Sequence, residues 1–269
     1  MRFLVLMLSV WMGYAVTLHA AEPAPVSSPP PSPTNLTVLA DPSLLLPLAQ
    51  LARDYAKQTG TPLTIAVKDG EEAAQQIEQG LEAHLLLTAN QPLVTVLRNR
   101  GLIDVFSARA FARTSLALVG SASLESRTDI ARHISLAAIL YAQPDLPIYI
   151  TPTSTHEGNR ALALMENPDY AELLKSRVIM VESREMAIRR LKRTPGFALL
   201  LATDALNDPA LNVLHIFSAE TAKPVNYEAV VLASESMAQT RQFIGYLFSP
   251  KGQQIFAHFG FQPPPQSQR

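Results

Sequence analysis

Phe243-Ile244-Gly245-Tyr246-Leu247-Phe248-Ser249-Pro250-Lys251-Gly252-Gln253-Gln254-Ile255-Phe256-Ala257-His258-Phe259-Gly260-Phe261 is the stretch whose reading decides the fold. Met237 to Phe248 reads as a helix with Phe243, Ile244 and Leu247 on one face. Ser249 then offers a side-chain oxygen to an orphan backbone N–H of a second helix. Pro250 takes the first helical position, where its missing N–H is no loss. Two amphipathic helices thus meet at a tight joint.

Upstream of this joint, short β-branched or leucine-rich runs alternate with helical patterns, which is the α/β signature. The strand expectations are Leu36–Leu39, Leu63–Val67, His84–Thr88, Ser115–Val119, Pro147–Ile150, Val178–Val181, Ala198–Ala202, Val213–Ile216 and Glu228–Leu232. Leu44, Leu48, Leu51 and Tyr55 recur at helical spacing, and Gly60 ends that helix. Further helices are expected at 71–79, 91–99, 157–166, 169–176 and 184–193. The pattern holds no internal repeat.

The folded body is therefore about 36–262. Ahead of it, Met1-Arg2 and the apolar run Phe3 to Leu18 have the form of a secretory signal, too short for the ~20 residues of a membrane span. The run ends in Ala20-Ala21, so residues 1–21 are expected to be cleaved. Residues 22–35 hold Pro23, Pro25, Pro29, Pro30, Pro31 and Pro33 and read as an extended, semi-rigid tether. Residues 263–269, opening on three prolines, form a tail.

Of 269 residues, 48% are apolar and 17% charged, enough to bury a substantial core and too apolar for intrinsic disorder. With 22 basic and 23 acidic side chains, nothing advertises nucleic acid as a partner. Zero cysteines exclude a disulfide framework, a thiol nucleophile and a lipid-modified amino-terminal cysteine. Gly-x-Ser-x-Gly, Walker and dinucleotide fingerprints are absent, and the six histidines show no zinc-binding spacing. His84 reads as a satisfied histidine at a strand edge. Arg184, Arg189, Arg190, Lys192 and Arg193 read as a solvated helical face.

The closing stretch resembles that of periplasmic molybdate-binding proteins, a family of solute-binding proteins of ABC importers. Other segments agree in the same order: Leu36-Thr37-Val38-Leu39-Ala40 with Ser43-Leu44, Gln76-Ile77-x-x-Gly80, Leu85-x-x-Thr88-Ala89-Asn90-Gln91, Ser115-Leu116-x-Leu118-Val119, Thr203-Asp204-Ala205 and Val225-x-Tyr227-x-Ala229-Val230-Val231. The resemblance covers essentially all of 36–261. It implies an α/β fold of two lobes with the ligand in the cleft between them, the type II periplasmic binding fold. Lobe one would be 36–114 with 228–262 and lobe two 115–227, hinged near Thr114-Ser115 and Tyr227-Glu228.

The family holds tetrahedral oxyanions with serine hydroxyls and backbone N–H groups at helix starts, where unpaired donors and a positive dipole end favour anions. Ser43 matches the first such serine. Pro47, unwelcome inside a helix, sets the helix start near 44–46 with Ser43 at its mouth; Ser43 reads equally as an ordinary N-cap. Elsewhere the pocket departs from the pattern. Gly70 falls on the second ligand serine, within Lys68-Asp69-Gly70-Glu71-Glu72, so a hydroxyl is lost and carboxylates arrive. Thr153-Ser154-Thr155-His156-Glu157-Gly158 occupies the place of a backbone-donor loop, with Glu157 where a small residue is usual. The family's tyrosine aligns with Leu201, and Asp41-Pro42 removes one backbone N–H.

By resemblance, the ligand site comprises Ser43, Asp69, Gly70, Glu157, Gly158 and Ser183, with no metal and no cofactor. A carboxylate about 5 Å from one unit of anion charge costs roughly 3 kcal/mol at an effective dielectric near 20. Tight molybdate binding then calls for a cation, from Lys68, Arg160 or Arg184. Glu71 and Glu72 also read as first-turn acids offsetting a helix dipole. The expected function is a non-enzymatic, monomeric periplasmic protein that delivers a molybdate- or tungstate-type oxyanion to an ABC permease in the inner membrane. The alternative is a repurposed module of the same fold that takes a cationic or neutral ligand, or a protein partner, through the acidic 69–72 turn. His156 and Glu157 with Asp69 and Glu71 would be the makings of a hard-cation site.

Overall fold

The computed structural model describes residues 35–68, 70–104, 106–124, 135–232 and 237–264, the side chains of Glu71 and Met237 excepted. The expected signal, all but the end of the expected tether, and Asp69 lie outside the described residues. The chain opens with β1 (Leu36–Ala40), α1 (Leu45–Thr59), β2 (Leu63–Val67), α2 (Gly70–Glu78), β3 (Leu85–Thr88), α3 (Gln91–Asn99) and β4 (Arg109–Thr114). A second series follows: β5 (Leu116–Ser121), α4 (Leu136–Tyr141), β6 (Ile148–Ile150), α5 (His156–Glu166), α6 (Pro168–Leu174), β7 (Val178–Met180), α7 (Arg184–Arg193), β8 (Phe197–Leu201), α8 (Ala202–Leu206) and β9 (Leu211–Ile216). β10 (Val225–Val231), α9 (Met237–Leu247) and α10 (Pro250–His258) close the body.

The strands form two mixed five-stranded sheets, ordered β2-β1-β3-β10-β4 and β7-β6-β8-β5-β9. β1, β2 and β3 run parallel, and β10 is antiparallel to both β3 and β4. In the second sheet β7, β6 and β8 are parallel, with β5 antiparallel to β8 and β9. Both faces of each sheet are covered. This explains why β3 reads as an unbroken Leu85-Leu86-Leu87 run rather than an alternation. Leu85 and Leu87 enter one core with α1, α9 and α10, while Leu86 enters another with α2 and α3. Successive side chains point to opposite faces, so one strand serves two cores. The second sheet repeats the plan: Leu116 and Leu118 pack toward α4, α5 and α6, and Ala117 and Val119 toward α7 and α8.

The closing stretch behaves as its sequence suggests. Ser249 Oγ accepts from Gly252 N at 3.1 Å and donates to Tyr246 O at 2.6 Å. Gly252 is required there, because a Cβ would sit 2.3 Å from Tyr246 O. Phe243 packs edge-on against Tyr55 of α1, and Phe256 against Phe111 of β4. Phe261 meets Tyr227 of β10, and Gln262 exchanges both main-chain hydrogen bonds with Arg113.

The strand expectations all fall on strands, Leu63–Val67 without any shift and the others displaced by no more than three residues at an end, while β4, α4 and α8 were not anticipated. His84 is satisfied as expected, its Nδ1 accepting from Thr37 N at 3.0 Å. Ser43 is not the N-cap of α1. Asp41 caps a single 3-10 turn, Pro42–Leu44, by accepting from Ser43 N, and α1 starts behind that turn at Leu45 without a side-chain cap. The basic face of α7 also needs correction, since Arg184 turns away from water and is only 21% exposed.

Candidate functional site

Parallel strands leave their crevice at their carboxyl ends, where the chain turns into the next helix and where the connections diverge to opposite faces. Here β1 leads to α1 on one face of the first sheet, while α2 and α3 cover the other. In the second sheet α5 and α7 likewise lie on opposite faces, beyond the ends of β6 and β7. The two carboxyl ends face each other across a cleft of about 270 Å³. Its walls are Asp41 and Pro42 after β1, Gly70 at the start of α2, Asn90 after β3, Ser154 to Glu157 entering α5, and Glu182 to Glu185 entering α7.

Side-chain caps hold three of these helix starts in place. Asn90 Oδ1 accepts from Leu93 N, Thr155 Oγ1 from Gly158 N and Ser183 Oγ from Met186 N, at 3.0, 3.0 and 3.2 Å. In α5 and α7 this leaves first-turn N–H groups and a positive dipole end at the cleft; α3 brings only its dipole end, because Pro92 has no N–H and those of Gln91, Leu93 and Val94 donate to Ala89 O, Asn90 Oδ1 and Asn90 O. Of the residues expected to bind ligand, Gly70, Glu157 and Ser183 line the cleft, whereas Ser43 and Gly158 are not among its walls.

Ser43 is spoken for. Asp41 can only accept, so the Ser43 hydroxyl donates to Asp41 Oδ1 at 2.7 Å, and the Tyr227 hydroxyl must then donate to Ser43 Oγ at 2.8 Å. The other Asp41 oxygen accepts from His156 Nε2 at 3.2 Å, a hydrogen bond that spans the cleft from one half of the chain to the other. Burial alone would raise the Asp41 pKa, but the hydrogen bonds from His156 and Ser43 outweigh it and hold the pKa below its ordinary value. Burial, aided by the Asp41 charge, pushes the Tyr227 phenol well up, which keeps it a donor. Ser43→Ala would strand the buried Tyr227 hydroxyl, at a cost of about 1–3 kcal/mol. Thermal unfolding should therefore show a lower midpoint for Ser43→Ala and a smaller loss in a Tyr227→Phe background, where only the bond to Asp41 is removed. Equal losses in the two backgrounds would mean that the bond contributes nothing.

Asn90 is the residue that sequence reasoning missed. A Cβ at Gly70 would lie 2.2 Å from Asn90 Nδ2, so the carboxamide occupies the volume a serine at position 70 would need. Because Oδ1 is committed to the cap, Nδ2 is the end left to donate toward the cleft. An asparagine just ahead of a helical Gln-Pro was a readable N-cap signal.

Among the described residues, Arg184 is the one arginine or lysine in the walls. Its guanidinium donates to Asp204 Oδ1 at 3.2 Å and to Glu185 Oε1 at 3.0 Å. Burial opposes its charge, yet these two acids outweigh burial and raise its pKa. Asp204 is buried and its Oδ2 has no partner. Burial pushes its pKa up to about 7 against the pull of Arg184, with Glu157 and Glu185 adding to the rise. The other two proposed cations are engaged elsewhere. Lys68 pairs with Glu72, and Arg160 donates to the carbonyls of His156, Lys223 and Pro224. Leu201, at the position of the family's tyrosine, packs into the core around α1 instead of the cleft. Among the described residues no cluster of three or more acids or histidines is arranged to hold a metal ion, and no helix is long and apolar enough to cross a membrane.

Known proteins of similar sequence and fold agree with this architecture. The molybdate-binding protein ModA of Haemophilus influenzae is 23% identical over 230 residues, spanning 84% of this chain and 89% of that protein. The substrate-binding domain of a candidate molybdenum ABC transporter from Clostridium difficile superposes with a TM-score of 0.74 at 21% identity, covering 86% of this chain and 99% of the other. The periplasmic molybdate-binding protein of Azotobacter vinelandii superposes at 0.67 with 19% identity, covering 86% and 100%. At these identities the superpositions establish the two-lobe α/β fold. A family model for bacterial extracellular solute-binding proteins matches residues 36–262, the whole folded body, and the chain belongs to that family.

Proposed function

We propose that this chain is the periplasmic solute-binding component of an ABC importer, that it captures a tetrahedral oxyanion of the molybdate or tungstate kind, and that it is a carrier without catalytic activity. The observation that carries this reading is the convergence on one cleft of the starts of α5 and α7, with Arg184 and the Asn90 carboxamide among its walls. Such helix starts bind anions through backbone donors and the dipole. The relatives' ligand, molybdate, is of that class. In this reading the cleft closes by rotation of lobe one (36–114 and 228–262) against lobe two (115–227), and a permease senses the closed, monomeric form. The hinges lie near Thr114-Ser115 and Tyr227-Glu228, a placement supported by the register shift of β10 between Tyr227 and Glu228.

Asp41, Glu157, Glu182 and Glu185 in the walls favour the alternative, a cationic solute. It ranks second because the relatives bind molybdate. Titration calorimetry with molybdate, tungstate, sulfate and phosphate should give a saturable heat with at least one of them at micromolar protein. Silence with all four, alongside heat from an organic cation, would reverse the ranking.

A further inference from the structure

We propose that Glu157 makes anion capture conditional on a proton, held between its side chain and one oxygen of the bound oxyanion. This rests on the oxyanion reading above and adds to it the protonation state of the complex. Glu157 lies in the first turn of α5, is only 5% exposed and lines the cleft, yet it makes no hydrogen bond among the described residues. Its neighbours, by contrast, are provided for: Asp41 has Ser43 and His156, and Glu185 has Arg184. The nearby cations are committed as well, Arg184 to Asp204 and Glu185, Arg160 to three carbonyl oxygens. A largely buried acid that feels Arg160 and Arg184 only through charge, and makes no hydrogen bond among the described residues, faces the ligand volume of the cleft.

Chemistry then restricts what it can meet. An ionised carboxylate and an oxyanion oxygen are both acceptors only, and they approach to hydrogen-bond distance only with a proton between them. With that proton the contact becomes a short, charge-assisted bond. Phosphate carries such a proton near neutrality and brings it along. Molybdate, tungstate and sulfate carry none, so their capture draws one from solvent.

Other ionisable groups face Glu157. They are His156 and Arg160 on α5, Arg184 and Glu185 on α7, Asp204 on α8, Tyr227 on β10 and Asp41 after β1. Asp204, pushed up to about 7 by burial, contributes a pH dependence of its own. The measurement must therefore be a difference between two proteins.

Molybdate, sulfate and phosphate are titrated calorimetrically into the wild type and Glu157→Gln at pH 6, 7 and 8, after thermal melts establish that both are folded. The wild type should lose affinity with rising pH by about tenfold per unit more than the variant, one proton's worth of linkage. At pH 8 the variant should bind molybdate at least tenfold more tightly than the wild type, while phosphate should lose its advantage over sulfate. Equal slopes and equal affinities at pH 8 overturn the proposal and leave any shared slope to Asp204. If Glu157→Gln does not fold, Glu157→Ala takes its place, and titration in two buffers of different ionisation heat counts the protons for each protein. Uptake of about one more proton per molybdate by the wild type than by the variant supports the proposal, and equal uptake overturns it. Failure of the wild type and the variant to bind any oxyanion at any pH overturns the oxyanion reading itself, and this inference with it.

Discussion

Gly158→Ala is expected to lower the thermal midpoint by about 6–12 °C. A Cβ at this position would stand 2.0 Å from Pro152 O and 2.5 Å from Thr151 O, both backbone atoms that cannot swing aside. Gly158 is the third residue of α5, and its N–H is already held by Thr155 Oγ1. The first turn of the helix therefore presses directly on the segment that leads into it. Relief requires α5 to lift off β8, where Ala161 and Leu164 are fully buried. Overpacking of this kind costs about 3 kcal/mol, and each kcal/mol shifts the midpoint of a body this size by about 2–4 °C. Because α5 also forms one wall of the cleft, ligand affinity should fall with stability. A variant that melts within about 2 °C of the wild type would show that the turn at 151–155 yields more easily than its packing indicates.

Arg184→Met should destabilise the protein by about 3–5 kcal/mol at pH 8, the cost of leaving the buried Asp204 charge without its cation. At pH 5 the loss should be clearly smaller. Asp204 has a folded-state pKa of about 7, well above the ordinary 3.8, so the folded state keeps a proton that the unfolded chain releases between those values. Its contribution to stability is then full at low pH and is lost as pH rises through 7. With Arg184 gone, the folded-state value rises further and the same sense of dependence steepens. Chemical denaturation at the two pH values measures this directly. A loss of equal size at pH 5 and pH 8 would mean that Asp204 is not the group left uncompensated.

Residue patterns revealed the scaffold more fully than the site. Strands buried on both faces announce themselves as apolar runs, and β3, β5 and β8 were plain for that reason. β4 was not, because Arg109-Ala110-Phe111-Ala112-Arg113-Thr114 is an edge strand whose arginines interrupt the run, and its pairing depends on β10 from far along the chain. In the cleft, residue types alone mislead. Ser43 looks like a donor to ligand until Asp41, two positions earlier, is seen to accept its hydrogen bond. Gly70 looks like a lost hydroxyl until Asn90 is found in its place. Arg184 shares a helix with four other basic residues, and only the position of Asp204 on another element distinguishes it from a solvated face. Each of these depends on which groups are brought together across the fold, which local sequence does not encode.

The position of β10 fixes the order in which the molecule can be built. The strands of the second sheet all fall between residues 116 and 216 and pair among themselves. The first sheet cannot be finished until β10 reaches the gap between β3 and β4, where Val225 meets Thr114 and Glu228 meets Thr88. A chain appearing from its amino end must therefore carry β3 with one edge open and β4 without a strand partner through the synthesis of the whole second half. Open edges of this sort invite pairing with other chains. The later half of the protein can mature unaided while the earlier half waits, so newly made chains are most vulnerable to aggregation in the segment synthesised first.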